Sequence, residues 1–145
     1  MVATKKPARS RLDFNHAMVY TRDVSRSVGF YRDLLGLILI EEFRAGDMVV
    51  YARLKLPAGT STIALHLLEP GQTLRTGGVR LYFEIRDLDR YCKKMEAAGA
   101  KFSQPPAIMP WGWRHAYLFD PDGHEVSLYW AGSKRLKKTN PATRL

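Results

Sequence analysis

Nine side chains able to do chemistry fall at alternating positions of short strand-like runs: His16, Tyr20, His66, Arg80, Tyr82, Glu84, Glu125, Ser127 and Tyr129. Imidazole and carboxylate groups transfer protons or ligate divalent ions. A guanidinium holds a carboxylate, phosphate or sulfate through paired hydrogen bonds, and phenols supply stacking walls with a polar tip. Arg80 is therefore a candidate anion clamp, with Tyr20, Tyr82 and Tyr129 around the ligand and Ser127 as a further contact. An internal ion pair of Arg80 with Glu84 or Glu125 is the competing reading. Trp111 and Trp113, separated by one glycine behind Pro105, Pro106 and Pro110, suit a lid or stacking surface for a planar ligand, or an interface. His115 and His124 have no partner identifiable from spacing, so surface or turn roles are expected for both.

These groups share a face because of their parity. Successive side chains of a strand point to opposite sides. Ala17 and Val19 oppose His16, Met18 and Tyr20; Ile63, Leu65 and Leu67 oppose Thr62, Ala64 and His66. Val79, Leu81, Phe83 and Ile85 oppose Arg80, Tyr82 and Glu84, and Val126, Leu128 and Trp130 oppose Glu125, Ser127 and Tyr129. One side of the sheet is an apolar core, and the other is a polar surface that water or a ligand must satisfy.

The elements carrying these residues occur twice. His16–Arg26 and Arg80–Arg90 align at a constant offset, each an alternating run ending in Arg-Asp followed by a helix-like segment. The period changes from 2 to 3.6 at the same place in both copies. Helices are expected over Ser25–Leu35 and Asp89–Ala98, capped by Ser25 and Asp89 and stopped by Gly36 and Gly99. Strands are expected over 37–44, 48–56 and 62–68 in the first copy, and over 79–85, 101–109, 114–119 and 125–130 in the second. Asp120-Pro121-Asp122-Gly123 reads as a type I turn. Each copy is thus βαβββ, and Gly77-Gly78 belongs to a linker, not to a phosphate-binding motif.

Length and composition suit one compact domain. The net charge of +9 is not spread over it. Residues 1–12 and 134–145 hold nine bases and no acid, and residues 13–133 are balanced at 14 of each. The basicity marks two flexible arms and argues against a nucleic-acid role for the body. One cysteine, Cys92, forbids an internal disulfide and fits a small apolar filler in a cytoplasmic protein. Neither a secretory leader nor a bilayer-length apolar run is expected.

Five segments in order resemble the vicinal oxygen chelate superfamily, which contains glyoxalase I, bleomycin-resistance and fosfomycin-resistance proteins and extradiol dioxygenases. They are Asn15-His16-Ala-Met-Val, Phe30-Tyr31-Arg-Asp-Leu-Leu-Gly36-Leu37, Ile85-Arg-Asp87-Leu-Asp89, Ala97-Ala-Gly99-Ala and Tyr117-Leu-Phe-Asp120-Pro121-Asp122-Gly123-His-Glu-Val-Ser-Leu. The resemblance runs from Leu12 to Ala131. It implies an α+β fold of two βαβββ modules forming a curved mixed sheet with a central cup. It also implies metal ligands on the first and last strands of each module, which here places His16, Arg80, His66 and Ser127 at those positions. Guanidinium and an unactivated hydroxyl are poor ligands, a departure that argues against glyoxalase, dioxygenase and fosfomycin chemistry. A set of His16, His66 and a displaced Glu125 would suit one divalent Fe, Mn, Ni or Zn.

The expected organisation is a basic arm over 1–12, a single domain over 13–132 with modules at about 13–69 and 78–132, and a basic tail over 133–145. A homodimer is expected, with modules of two subunits completing each cup. The expected function is recognition of a small oxygen-rich or aromatic molecule. It takes one of two forms: metal-dependent lyase, isomerase or dioxygenase chemistry with Glu125 and Tyr82 as catalytic groups, or metal-free sequestration. Docking of the basic tails on an acidic partner is a third reading.

Overall fold

Hydrogen bonding divides the strands of the computed structural model, which describes residues 10–134, into two four-stranded sheets. The first module contains β1 (His16–Thr21), β2 (Ile38–Ala45), β3 (Met48–Lys55) and β4 (Thr62–Leu67), in the order β1-β4-β3-β2. The second contains β5 (Arg80–Glu84), β6 (Phe102–Ile108), β7 (Arg114–Phe119) and β8 (Glu125–Trp130), in the order β5-β8-β7-β6. Within each module the first and last strands pair in parallel and the remainder antiparallel. The α+β class and the βαβββ repeat are as expected. The basic arms fall mostly on residues 1–9 and 135–145, outside the described residues.

The first helix starts one residue earlier than the sequence suggests. Asp23, in extended backbone, caps α1 (Val24–Val28) by accepting from the Arg26 amide at 3.1 Å. Ser25 already lies inside the helix. The helix then widens into a π-helical turn over Gly29–Leu34, seen in the Leu35 amide reaching back five residues to Phe30 at 3.0 Å. In the second module Asp87, not Asp89, precedes α2 (Leu88–Ala97), and Asp89 takes Nε and Nη2 of Arg114 at 2.9 and 3.0 Å. Gly36 and Gly99 end the two helical segments at φ of 84° and 104°, a backbone region that costs glycine least.

The core follows the parity argument except along β5, where Leu81, Phe83 and Ile85 are only partly buried and Val79, expected on the core side, is exposed. Val19, Ile63 and Leu65 pack under α1 with Val24, Val28 and Tyr31, while Val126, Leu128 and Leu118 pack with Leu88, Cys92 and Met95 of α2. Cys92 is the expected apolar filler, its thiol pushed up to about 12 by burial first, then by Asp89 and Glu96. No helix among the described residues is long and apolar enough to cross a membrane.

A clasp of carboxylates ties the modules together. The Asp120–Gly123 turn closes with the Gly123 amide on the Asp120 carbonyl at 3.0 Å, and both its carboxylates are buried. Asp122 accepts from the Thr21 hydroxyl, the Arg22 amide at 3.0 Å, Ser27 Oγ at 3.2 Å and Arg26 Nη2 at 3.1 Å, all in the first module. Asp120 accepts from Tyr31 Oη at 2.8 Å and from the amides of Asp122 and His124. His124, expected in a surface or turn role, follows the turn and donates from Nε2 to the Tyr20 carbonyl at 2.7 Å. Desolvation pushes Asp122 up, but the hydrogen bonds from Thr21, Arg22 and Ser27 and the Arg26 charge outweigh it, and the carboxyl titrates below its ordinary value.

The clasp therefore has a pH signature. With the folded value the lower one, the unfolded chain binds the extra proton, so the stabilisation is complete above about pH 4 and decays as pH falls through the folded value. Replacing Asp122 by Ala removes the acceptor shared by the Arg22 amide, the Arg26 guanidinium and the Thr21 and Ser27 hydroxyls, leaving the hydroxyls only each other and the Asp23 carbonyl, an expected loss of about 3 kcal/mol, or about 10 °C in Tm. Thermal melts from pH 7 to 2 should show the acid loss in the wild type and a flatter profile in Asp122→Asn; parallel profiles would contradict this assignment.

Candidate functional site

Three rows of side chains cover the polar face of the first sheet. The ladder sets Lys55, Thr62 and His16 in one row, Arg53, Ala64 and Met18 in the next, and Tyr51, His66 and Tyr20 in the third. Ala64, fully buried, offers no side chain to block the row it occupies. Arg53 reaches over it from β3 to β1, where Nη2 stands 3.0 Å from Nε2 and 3.2 Å from Nδ1 of His16. Nδ1 of His16 is 2.6 Å from the Asn15 carboxamide oxygen, so Nδ1 carries the proton, and Arg53 Nη2, nearly equidistant from the two ring nitrogens, lies against the imidazole. Arg53 Nε donates to Tyr51 Oη at 2.9 Å. His66 donates from Nδ1 to the Leu67 carbonyl at 2.6 Å, with the rings of Tyr20 and Tyr51 edge-on at 5.6 and 6.4 Å.

The polar face of the second sheet is mostly aromatic. Its rows are Arg80, Glu125 and Phe119; Tyr82, Ser127 and Tyr117; and Glu84, Tyr129 and His115. His115, expected in a surface or turn role, is buried at the centre on β7. Trp113 stacks on it and on Tyr129, with ring centres 6.3 and 5.6 Å apart and planes within 10° and 13°. Tyr129 and Tyr117 are themselves nearly parallel to His115, and Tyr82 meets both His115 and Tyr129 edge-on at 5.8 Å. Trp111 Nε1 donates to His115 Nε2 at 3.2 Å, which fixes the proton on Nδ1, directed at Ser127 Oγ at 2.9 Å. Arg80 lies over the Tyr117 ring at 4.5 Å and donates from Nε to Glu125 at 3.1 Å and from Nη1 to Tyr82 Oη at 3.4 Å.

The expected residues consequently separate into two groups. Arg80, Tyr82, Glu125, Ser127, Tyr129, Trp111 and Trp113 come together on the second sheet. His16, Tyr20 and His66 lie on the first. Tyr20 faces His66 and not the other two expected tyrosines.

The proposed ligand set of His16, His66 and Glu125 does not fit a divalent ion within this chain. His16 is level with Thr62 and His66 with Tyr20, four residues further along β1 or about 13 Å. Glu125 is on the other sheet and already paired with Arg80. A guanidinium stands 3.0 Å from Nε2 of His16 and opposes a second positive charge there. No group of three His, Cys, Asp or Glu residues suited to a metal exists among the described residues. The register also corrects the correspondence between modules. Ser127 pairs with Tyr82 in the second row, where the first module has Ala64 against Met18. The counterpart of Ser127 is therefore Ala64, which has no donor atom at all, and not His66.

Reading β1, β4, β5 and β8 alone missed Tyr51 and Arg53 on β3 and His115 and Tyr117 on β7. The signal was present. Tyr51, Arg53 and Lys55 alternate with the buried Ala52 and Leu54, and His115 and Tyr117 flank the buried Ala116.

Two α-plus-β modules, each a sheet with a parallel outer pair and a chemically equipped face, define a class in which paired modules receive small molecules. Residues 13–128 match the Glyoxalase/Bleomycin resistance protein/Dioxygenase superfamily, and the chain belongs to it. A probable lactoylglutathione lyase from Synechocystis sp. is 25% identical over 127 residues, covering 83% of this chain and 96% of that protein. A superfamily member from Sphaerobacter thermophilus superposes with a TM-score of 0.66 at 25% identity, covering 82% of this chain and 98% of the other. TnmS3, an antibiotic binding protein from Streptomyces sp., superposes with a TM-score of 0.69 at 21% identity, covering 84% and 98%.

Burial, then the Arg80 charge, lowers the pKa of His115 below its ordinary value. Between the unfolded and folded values the unfolded chain holds the extra proton, so this residue costs stability as pH falls below about 6.5. Tm measured from pH 7.5 to 5 should fall more steeply in the wild type than in His115→Gln. Equal slopes would show that another group is responsible.

Proposed function

We propose that this protein recognises a small planar aromatic or oxygen-rich molecule on the polar face of its second module, without a resident divalent metal. The observation that carries the reading is the stack of Trp113, His115 and Tyr129 beside Arg80. Aromatic faces at this spacing hold a planar guest by offset stacking, worth about 0.5–1.5 kcal/mol per ring pair beyond the area buried. Tyr82, half exposed, supplies a rim with a phenol at the mouth. The salt bridge between Arg80 and Glu125 is the polar end of the platform, and Arg80 can exchange part of it for an anionic or carbonyl group of the guest. Glu125 and Tyr82 are then ligand contacts, and the Ser127–His115 bond holds the central ring in place.

Between the described activities of the two named relatives, antibiotic binding accords better with these residues than lyase chemistry does. A lyase that works through a metal-bound substrate needs donors that Ala64, Ser127 and Arg80 do not offer. Sequestration needs only shape, stacking and a few convergent polar groups. A cytoplasmic setting belongs to the same proposal.

The homodimer is part of it. β1 and β5 are both edge strands, whose unpaired backbone groups invite a further chain. A cavity of about 1020 Å³ opens between them, lined on one side by Phe14, Ala17 and Ile63 and on the other by Leu81, Phe83 and Leu128. Modules from two copies meeting along these edges would complete each binding face. Val79, exposed beside β5, gives the test: sedimentation should find a dimer in the wild type and a monomer for Val79→Asp. A wild type that stays monomeric across the micromolar range would remove the dimer from this reading.

Ligand screening by tryptophan quenching with planar aromatic compounds tests recognition itself. Trp113→Ala should weaken any hit at least about tenfold, or about 1.4 kcal/mol, and chromatography should recover the compound unchanged. Conversion of the bound compound, or stoichiometric zinc uptake abolished by His16→Ala, would overturn metal-free sequestration.

A further inference from the structure

The polar face of the first module holds a guanidinium that makes no close ion pair among the described residues. We infer that Arg53, with His16 and Tyr51 as its supports, is the anchor of a second subsite, one that takes the carboxylate of a small organic acid. The inference rests on reading the chain as a small-molecule binder, but its residues lie on a different sheet from the aromatic stack.

The arginines with close ion pairs elsewhere in the molecule set the contrast. Arg26 pairs with Asp122, Arg32 with Asp33, Arg44 with Glu42, Arg80 with Glu125 and Arg114 with Asp89. Arg53 pairs with no carboxylate among the described residues. Glu41 lies directly across the ladder from it on β2, yet the two form no ion pair. Its partners are a phenol and an imidazole, both uncharged acceptors. A partly buried guanidinium satisfied only by neutral groups keeps its full charge available to an incoming anion.

Geometry selects a carboxylate. Nε is held by Tyr51 and Nη2 is turned onto His16, while Nη1 has no partner among the described residues. The free end of the fork is a two-donor edge matched to the two oxygens of a carboxylate. Ala64 beneath it leaves the approach open. The row alongside holds His66, whose Nδ1 is committed to the Leu67 carbonyl and whose Nε2 is left to face a guest, between the ring edges of Tyr20 and Tyr51. Lys55, exposed one row away on the same face, adds a second positive charge. A planar acid is the chemistry that uses all of these features: its carboxylate on Arg53, its ring over the tyrosines.

Benzoate is the direct probe, with benzamide as its uncharged isostere and phenyl phosphate as the competing anion. Titrated into the full-length protein and followed by two-dimensional NMR, benzoate should give saturable shifts centred on His16, Tyr51 and His66. Arg53→Gln should weaken binding at least tenfold, whereas Arg32→Gln, which removes a surface charge paired with Asp33, should leave it within twofold. Benzamide should bind at least tenfold more weakly than benzoate, and raising the salt concentration should weaken benzoate alone. Arg53→Lys, which keeps the charge and loses the fork, should fall between wild type and Arg53→Gln, and provides the readout should the latter fail to fold. Equal affinity for benzamide, unchanged affinity in Arg53→Gln, or tighter binding of phenyl phosphate would overturn the inference. Shifts centred on Trp113 and Tyr129, lost in Trp113→Ala and not in Arg53→Gln, would refute this subsite and leave recognition on the second module standing.

Discussion

Asp122 sits where the two halves of the chain are locked together. Its side chain is fully buried, yet it is ionised, because one carboxylate collects two hydroxyls, a backbone amide and a guanidinium from the first module. A turn four residues long therefore determines how one sheet is placed against the helix of the other module. The neighbouring Asp120 repeats the arrangement with Tyr31, and His124 adds a bond to the backbone of β1. These contacts add to an apolar core continuous through both modules and to the bond from Tyr91 Oη to the Leu35 carbonyl.

The same constraint explains why the chain has two distinct polar faces. Each sheet turns its apolar side to its own helix, and the polar side is left to whatever approaches it. On the second sheet that side has filled with stacked rings, and the central imidazole is held neutral by burial and by the cation nearby. On the first sheet a single arginine crosses the small Ala64 to lie against the imidazole of His16. Cations thus stand on both faces where a metal centre would need donors. Coulomb repulsion, and the lack of a lone pair on a guanidinium, oppose a divalent ion at either place.

Much of this was legible in the residues. Period-2 alternation identified the core side of β1, β4, β5 and β8, and the duplication placed both helices to within one or two residues. The capping residues were misplaced because Ser25 and Asp89 are both chemically suitable, and only backbone conformation distinguishes a cap from a first-turn residue. The metal set failed for a different reason. Parity establishes that His16 and His66 share a face, but not how far apart they lie along it, and the parallel register of β1 with β4 puts about 13 Å between their rows. The Arg80–Glu125 pair was one of the two readings open from spacing, and the register made them neighbours.

By itself the sequence determined sidedness, repeat and charge balance, since these follow from local periodicity and composition. Tertiary structure alone decided which groups meet. Asp122 with Thr21, Arg53 with His16 and Trp113 with Tyr129 are contacts between strands or modules, and no local pattern encodes the register or the turn that brings them within bonding distance. An interaction of a few ångströms depends on the placement of whole elements, which strand register sets within each module and the Asp120–Gly123 turn sets between them.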